Sequence, residues 1–306
     1  MHTLPSSVLE GVRSALADAG TSSDIQDVRP VTGGCINHGA RVDVEGGSAF
    51  FLKWNPSAPP GLFDAEWDGL TALAAPGVLR VPRPLARGEG SDGPAWLLME
   101  YIHPGRAGRD FGARLGRGLA ELHLTAGDEA TFGWAGNNWI GSLPQENTAT
   151  ASWSDFWRNR RLLPQLSLAR SGGYFRGQAG RDMERLLDAV PIALEDVEGA
   201  RAHLIHGDLW NGNVFADADG RPTLIDPAVY LGHGEVDLAM SELFGGFGAQ
   251  FFNAYDEVVP VTPAYQAFRR SLYQLFYLLV HVNLFGASYE ASALSAARQV
   301  TAALLA

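Results

Sequence analysis

His206, Asp208, Asn213 and Asp226 fall within one stretch, LIHGDLWNGNVFADADGRPTLID, running from Leu204 to Asp226. Two carboxylates and a carboxamide make an oxygen donor set suited to magnesium. That ion prefers hard oxygen ligands and completes its shell from phosphate groups and water. Taken singly, an Asp or Asn in a loop is a turn former that bonds its own backbone. The four together, bounded by apolar residues, ask for more than turns. Leu204 and Ile205 predict a buried strand, Val214 and Phe215 a second hydrophobic stretch, and Thr223 to Ile225 a strand ending at Asp226. Short strands around a polar loop bring such acceptors to one rim.

The order H-x-D, an Asn five residues after the Asp, and a further Asp beyond a hairpin is the catalytic layout of protein kinases. In that layout Asp208 orients or deprotonates the attacking hydroxyl, while Asn213 and Asp226 hold the metal. His206 and Asp237 then act one step back, Asp237 by bracing the loop's backbone, with helix N-capping as its competing role.

Other elements must hold the phosphates. Val28 to Trp54 has strand character, with a Gly46-Gly47 hairpin turn leading into Ala49 to Trp54. Lys53 shares a strand face with Phe51, opposite Phe50, Leu52 and Trp54. A helix carrying Leu62, Phe63, Glu66, Leu70 and Leu73 follows, with Glu66 on its inner side. A strand lysine paired to a helix glutamate can grip the α- and β-phosphates; an edge lysine snorkelling to solvent is the plainer alternative. The Gly33-Gly34-Cys35 loop can lay its N–H groups over those phosphates, although a glycine pair is also an ordinary turn. Met99, Glu100, Tyr101 and Ile102 end an apolar strand at the His103-Pro104-Gly105 break, where backbone groups would read an adenine edge.

Composition excludes several classes. The chain of 306 residues is 46% hydrophobic and 19% charged, an ordinary globular balance. A net charge of −11 argues against a nucleic-acid partner. No apolar run is long enough for a membrane span, and the N-terminus lacks a basic and then apolar leader pattern, so a cytoplasmic enzyme is expected. Cys35 is the only cysteine and Lys53 the only lysine. A protein disulfide could therefore only join two copies, so the expectation is a monomer or a redox-dependent dimer through Cys35.

The remaining pattern is an amphipathic helix over 6–19, capped by Ser6 or Ser7, and a mainly helical chain after the hinge. Helices are expected over 109–124, 153–169, 182–194, 263–285 and 289–305, with one starting at Gly234, and an Asn- and Trp-rich loop over 132–145.

The chain resembles the fructosamine kinase (ketosamine 3-kinase) family. The motifs that carry the resemblance are His206-Gly207-Asp208-Leu209-Trp210-Asn211-Gly212-Asn213, Asp226-Pro227-Ala228, and Gly232-His233-Gly234-Glu235-Val236-Asp237-Leu238-Ala239-Met240 with Leu243-Phe244-Gly245-Gly246-Phe247. Gly33-Gly34-Cys35-Ile36-Asn37, Phe51-Leu52-Lys53-Trp54-Asn55, Phe63-Asp64-Ala65-Glu66, Asn138-Trp139-Ile140-Gly141 and Gln145-Glu146-Asn147 also match. The H-G-D part is shared with aminoglycoside and choline kinases, which keeps another small-molecule kinase as the alternative; a pseudokinase would lack the catalytic set. Gly234 stands where many members carry an arginine.

The resemblance implies an α+β, protein-kinase-like fold in two lobes, a β-rich lobe over 1–102 and a helical lobe over 103–306. It also implies ATP- and magnesium-dependent phosphorylation of the 3-hydroxyl of a ketoamine, protein-bound or free. In the family this is a repair step, because the 3-phosphate makes the adduct eliminate. It also implies substrate contacts from the helical lobe, for which Trp210, Asn211, Glu235, Asn138 and Trp139 are the candidates, Glu235 facing the ketoamine nitrogen.

Overall fold

The computed structural model describes residues 4–31, 37–89, 93–125 and 131–305. It divides into two compact units, Met1–Phe111 with Val214–Pro227, and Gly112–Asn213 with Ala228–Ala306. The units therefore do not follow a single cut after Ile102, because a sequence-distant hairpin belongs to the first of them.

The first unit is built on a five-stranded antiparallel sheet. Its strands are β1 (Ile25–Val31), β2 (His38–Val44), β3 (Ala49–Asn55), β4 (Pro84–Gly88) and β5 (Ala95–Glu100), in the order β1-β2-β3-β5-β4. Alternation along β2 and β3 sends Val42, Val44, Leu52 and Trp54 to one face. There they bury against Val8, Val12 and Leu16 of α1 (Ser6–Asp18), with Trp96 and Leu98 of β5. Helix α1 starts after Pro5 and has no side-chain cap, so Ser6 and Ser7 are its first residues and not its N-cap. The opposite face carries Lys53 and meets α2 (Leu62–Ala74).

The chain leaves β5 through Tyr101 to Gly105 and then lies on the Val214–Ala216 and Pro222–Leu224 hairpin. Gly105 N–H donates to Ala216 O at 2.7 Å, and a Cβ on Gly105 would sit 2.2 Å from Asp217 O. On its other side the hairpin bonds Arg80, whose carbonyl accepts from Leu224 N–H at 2.9 Å. These backbone contacts anchor residues 214–227 in the first unit.

The second unit is mainly helical. It contains α3 (Phe111–Thr125), α4 (Trp153–Phe156), a π-helical turn Trp157–Leu162, α5 (Leu163–Ser171) and α6 (Gln178–Ala193). After the catalytic stretch come α7 (Glu235–Leu243), α8 (Ala249–Asp256), a π-helical turn Tyr265–Arg269, α9 (Arg270–Phe285) and α10 (Glu290–Leu304). The expected helix over 153–169 is thus one continuous run with a widened middle. That widening seats Arg161, fully buried, with its guanidinium 3.9 Å from the Tyr230 ring and 4.6 Å from the Phe156 ring. Cation–π contact and a 2.7 Å bond to Asn147 Oδ1 offset the desolvation of its charge. The Asn- and Trp-rich stretch expected as a loop contains a hairpin, Asn138–Ile140 with Leu143–Gln145.

Candidate active site

Lys53 is 8% exposed at the inner face of β3. Its ammonium bonds Glu66 of α2, and Asp226 Oδ1 at 2.5 Å. Burial alone would lower the lysine's pKa; Asp226 and Glu66 outweigh it and hold the ammonium well above its ordinary value. The edge-snorkelling alternative is excluded by this burial. Asp226 follows the Pro222–Leu224 strand and adopts φ +56°, a left-handed conformation uncommon outside glycine and tolerated by Asp and Asn. That turn ends the strand and aims the carboxylate at Lys53.

The loop with Asp208 is fixed from three directions. Asp237, fully buried on α7, accepts from His206 N–H at 2.8 Å through Oδ2 and from Gly207 N–H at 2.9 Å through Oδ1. Tyr277 of α9 donates its hydroxyl to Gly207 O at 2.7 Å. His206 O accepts from Ala228 N–H at 2.9 Å, and His206 Nδ1 accepts from Asp208 N–H at 3.2 Å. Gly207 has no substitute here. Its φ is +79°, and a Cβ would come within 2.1 Å of Ala228 O.

Asn213 donates Nδ2 to Asp208 O at 2.9 Å and to Asp208 Oδ2 at 3.2 Å. Both bonds use the amide nitrogen, which presents the carboxamide oxygen as the group to meet a cation. Among the described residues no group of three or more His, Cys, Asp or Glu could enclose a metal ion. The donors that the sequence singles out, one carboxylate from Asp226 and one carboxamide oxygen from Asn213, suit an ion that draws its other ligands from phosphate and water.

Other candidates fare differently. Trp210 is 37% exposed, with its ring laid over Gly212, where a Cβ would meet the indole at 2.3 Å. It packs edge-on against Phe244, itself 42% exposed. Asn211 is exposed beside Gly246, and Trp139 is half-buried.

Two substrate candidates are engaged within the protein. Glu235 is buried and its carboxylate accepts two bonds of 2.7 Å from Arg269, which also pairs with Asp196. Asn138 is buried too. It donates to Val229 O at 2.7 Å and accepts from Gln145 and Asn147, which makes it a fastener for its own hairpin.

Met99 is buried inside β5. Glu100 spends its N–H on Arg83 O at 2.8 Å and its side chain on Arg80. Tyr101 and Ile102 lie beyond the strand ladder. Gly33, Gly34 and Cys35 lie outside the described residues.

Sequence reasoning missed Tyr277 and the buried His123 and Tyr255. None belongs to a local motif, and an isolated Tyr or His on a helix carries no periodic signal beyond core placement.

The fructosamine kinase family model matches residues 10–303. A protein-ribulosamine 3-kinase of Arabidopsis thaliana is 39% identical over 93% of this chain and 85% of its own. The ketosamine-3-kinase of Mus musculus is 32% identical over 88% of this chain and 93% of its own. A Thermobifida fusca crystal structure, assigned to fructosamine-3-kinase by name, superposes with a TM-score of 0.85 at 32% identity over 96% of this chain and 99% of that one. The aminoglycoside phosphotransferase APH(4)-Ia shares the protein-kinase-like fold, with a TM-score of 0.65 at 17% identity over 96% of this chain and 98% of that one. With the family model spanning nearly all of it, this chain belongs to the fructosamine kinase family.

Proposed function

We propose that the protein is an ATP- and magnesium-dependent kinase that phosphorylates the 3-hydroxyl of a ketoamine, the adduct of a reducing sugar with an amine. The observation that carries this reading is the complete set Lys53, Glu66, Asp208, Asn213 and Asp226 in a chain of this family. The relatives named for ribulosamine and ketosamine 3-kinase activity support the acceptor class.

Asp208 orients the acceptor hydroxyl and takes its proton, held in place by Asn213 and by the braces on His206 and Gly207. Lys53, steadied by Glu66, grips the α- and β-phosphates of ATP. Asp226 and Asn213 each offer one oxygen to magnesium, which when bound neutralises charge on the transferring phosphoryl group. Phosphoryl transfer needs little covalent chemistry from the protein, so position and charge carry the acceleration. Trp210, two residues after Asp208, and Phe244 packed against it offer an exposed aromatic surface suited to the apolar face of a sugar or its amine substituent.

The test is a substrate panel of fructosyl- and ribulosyl-amines, free sugars, aminoglycosides and choline, read by phosphorus NMR of the product. Phosphorylation at the ketoamine 3-hydroxyl is expected. Turnover of an aminoglycoside or choline with ketoamines untouched would overturn the reading in favour of another small-molecule kinase.

A further inference from the structure

We propose that His123 and Tyr255 are positioning residues for the reaction, acting on the Asp208 loop through Asp237, and that Gly234 keeps open the space in which they meet. This rests on the kinase reading of the loop.

Asp237 accepts from both N–H groups at the start of that loop, so its orientation helps set where Asp208 begins. Asp237 is itself held. His123, in the last turn of α3, places Nε2 3.2 Å from Asp237 Oδ2, and its Nδ1 lies 2.8 Å from the hydroxyl of Tyr255 on α8. All three side chains are buried, at 1% exposure for His123, 0% for Asp237 and 2% for Tyr255. Burial pushes the Tyr255 hydroxyl well above its ordinary pKa, so it stays a donor. With the hydroxyl donating, Nδ1 accepts and Nε2 carries the hydrogen that meets the carboxylate. The chain of donors then runs in one direction, from Tyr255 through His123 to Asp237, and leaves Asp237 oriented toward the loop.

The neighbouring backbone is cut to fit this pair. A Cβ on Gly116 of α3 would lie 2.1 Å from Phe251 O, so the glycine lets α8 lie close enough for Tyr255 to reach His123. At Gly234 the φ and ψ are −58° and −27°, values any residue adopts. Backbone conformation therefore gives no reason for a glycine there. Space does. A Cβ would lie 2.6 Å from His123 Nδ1 and 2.9 Å from the Tyr255 hydroxyl, on the bond that joins them. Any side chain at 234 competes with that hydrogen bond.

The experiment compares His123→Ala, His123→Gln, Tyr255→Phe, Gly234→Ala and the Gly234→Ala/Tyr255→Phe double variant with the parent. Each is measured below its own melting temperature, on ketoamine phosphorylation and on uncoupled ATP hydrolysis. His123→Ala is expected to lower kcat by roughly 10- to 100-fold with little change in KM for ATP. His123→Gln, whose amide nitrogen can still donate to Asp237, should recover most of the loss. Gly234→Ala and Tyr255→Phe should each lower kcat, and the double variant should be no worse than Gly234→Ala, since both break one bond.

Parent-like kcat in His123→Ala would overturn the proposal, as would additive losses in the double variant or a His123→Gln no better than Ala. Should His123→Ala fail to fold, Tyr255→Phe keeps the ring and decides alone: unchanged kcat overturns the relay. If no ketoamine is turned over, the substrate reading fails, and the hydrolysis rates, set against Asp208→Ala, still decide the positioning role.

Discussion

Lys53 Nζ lies 2.5 Å from Asp226 Oδ1 across a separation of 173 positions, and the same ammonium bonds Glu66. One cation thus holds two carboxylates, Glu66 buried and Asp226 partly exposed, and in the proposed function it would loosen Asp226 when phosphate and metal arrive. A compact ammonium can shift between oxygens within a small sphere; a planar guanidinium is bulkier and sets its donors in a fixed fork. Lys53→Arg should therefore lose roughly 10²-fold or more in kcat/KM although charge is kept. Steady-state kinetics check this, and near-parent activity would remove Lys53 from the phosphate grip.

Asp226→Asn is the fair probe of the metal role, because Asn tolerates the left-handed backbone at φ +56° that Ala would strain. The variant should fold and lose magnesium-dependent nucleotide affinity by about tenfold or more. Calorimetry of ATP binding with and without magnesium reads it. Equal enhancement by magnesium in variant and parent would show that Asp226 is not a ligand.

Asp208→Ala should keep nucleotide binding and drop kcat by roughly 10²–10⁴, the range for a general base. The loop's backbone is held at His206 and Gly207 by Asp237, Tyr277 and Ala228, so the melting temperature should move little. A variant with kcat within a few-fold of the parent would take Asp208 out of the proton transfer.

Stability should fall on the acid side through His233, whose pKa is pushed down to about 3 by burial and by Arg269. A depressed folded value means that the unfolded chain binds the proton first. The stabilisation is complete above pH 6.5 and lost as pH falls from there toward 3. Within that window the slope is about 1.4 kcal/mol per pH unit for one proton. His203 and His281 are lowered by burial too and add to the same limb, while Glu235, raised by burial against the pull of Arg269, acts in the opposite sense. The decisive quantity is therefore a difference: His233→Gln should unfold with a shallower acid limb in denaturant titrations between pH 7 and pH 4. Superimposable limbs would show that His233 is not the group.

Much of this site was legible because its parts follow local rules. Strand alternation alone sets Lys53 opposite Leu52 and Trp54, and helical spacing alone turns Glu66 inward. The H-G-D and D-P-A motifs carried Asp208, Asn213 and Asp226. What stayed hidden depends on partners far along the chain. Glu235 read as an acid near the site, but Arg269, 34 positions on and at a π-helical turn, pairs with its carboxylate. Asn138 read as a contact residue, but its hydrogen bonds go to a hairpin and to Val229 O, pairings no spacing announces. His123 sits on an apolar helix face where a histidine usually means packing, and only the fold brings Tyr255 and Asp237 to its two nitrogens.

The solitary lysine has a consequence for the enzyme's own durability. Reducing sugars attack neutral, accessible amines, and Lys53 is neither: it is buried, tied to two carboxylates and held as ammonium. Every other side-chain cation that stays charged at neutral pH is an arginine. The folded protein therefore offers sugars no exposed lysine amine. After prolonged incubation with ribose, peptide mass spectrometry should find Lys53 unmodified in the folded protein and modified once it is unfolded. Equal labelling of both states would mean that the amine is exposed after all.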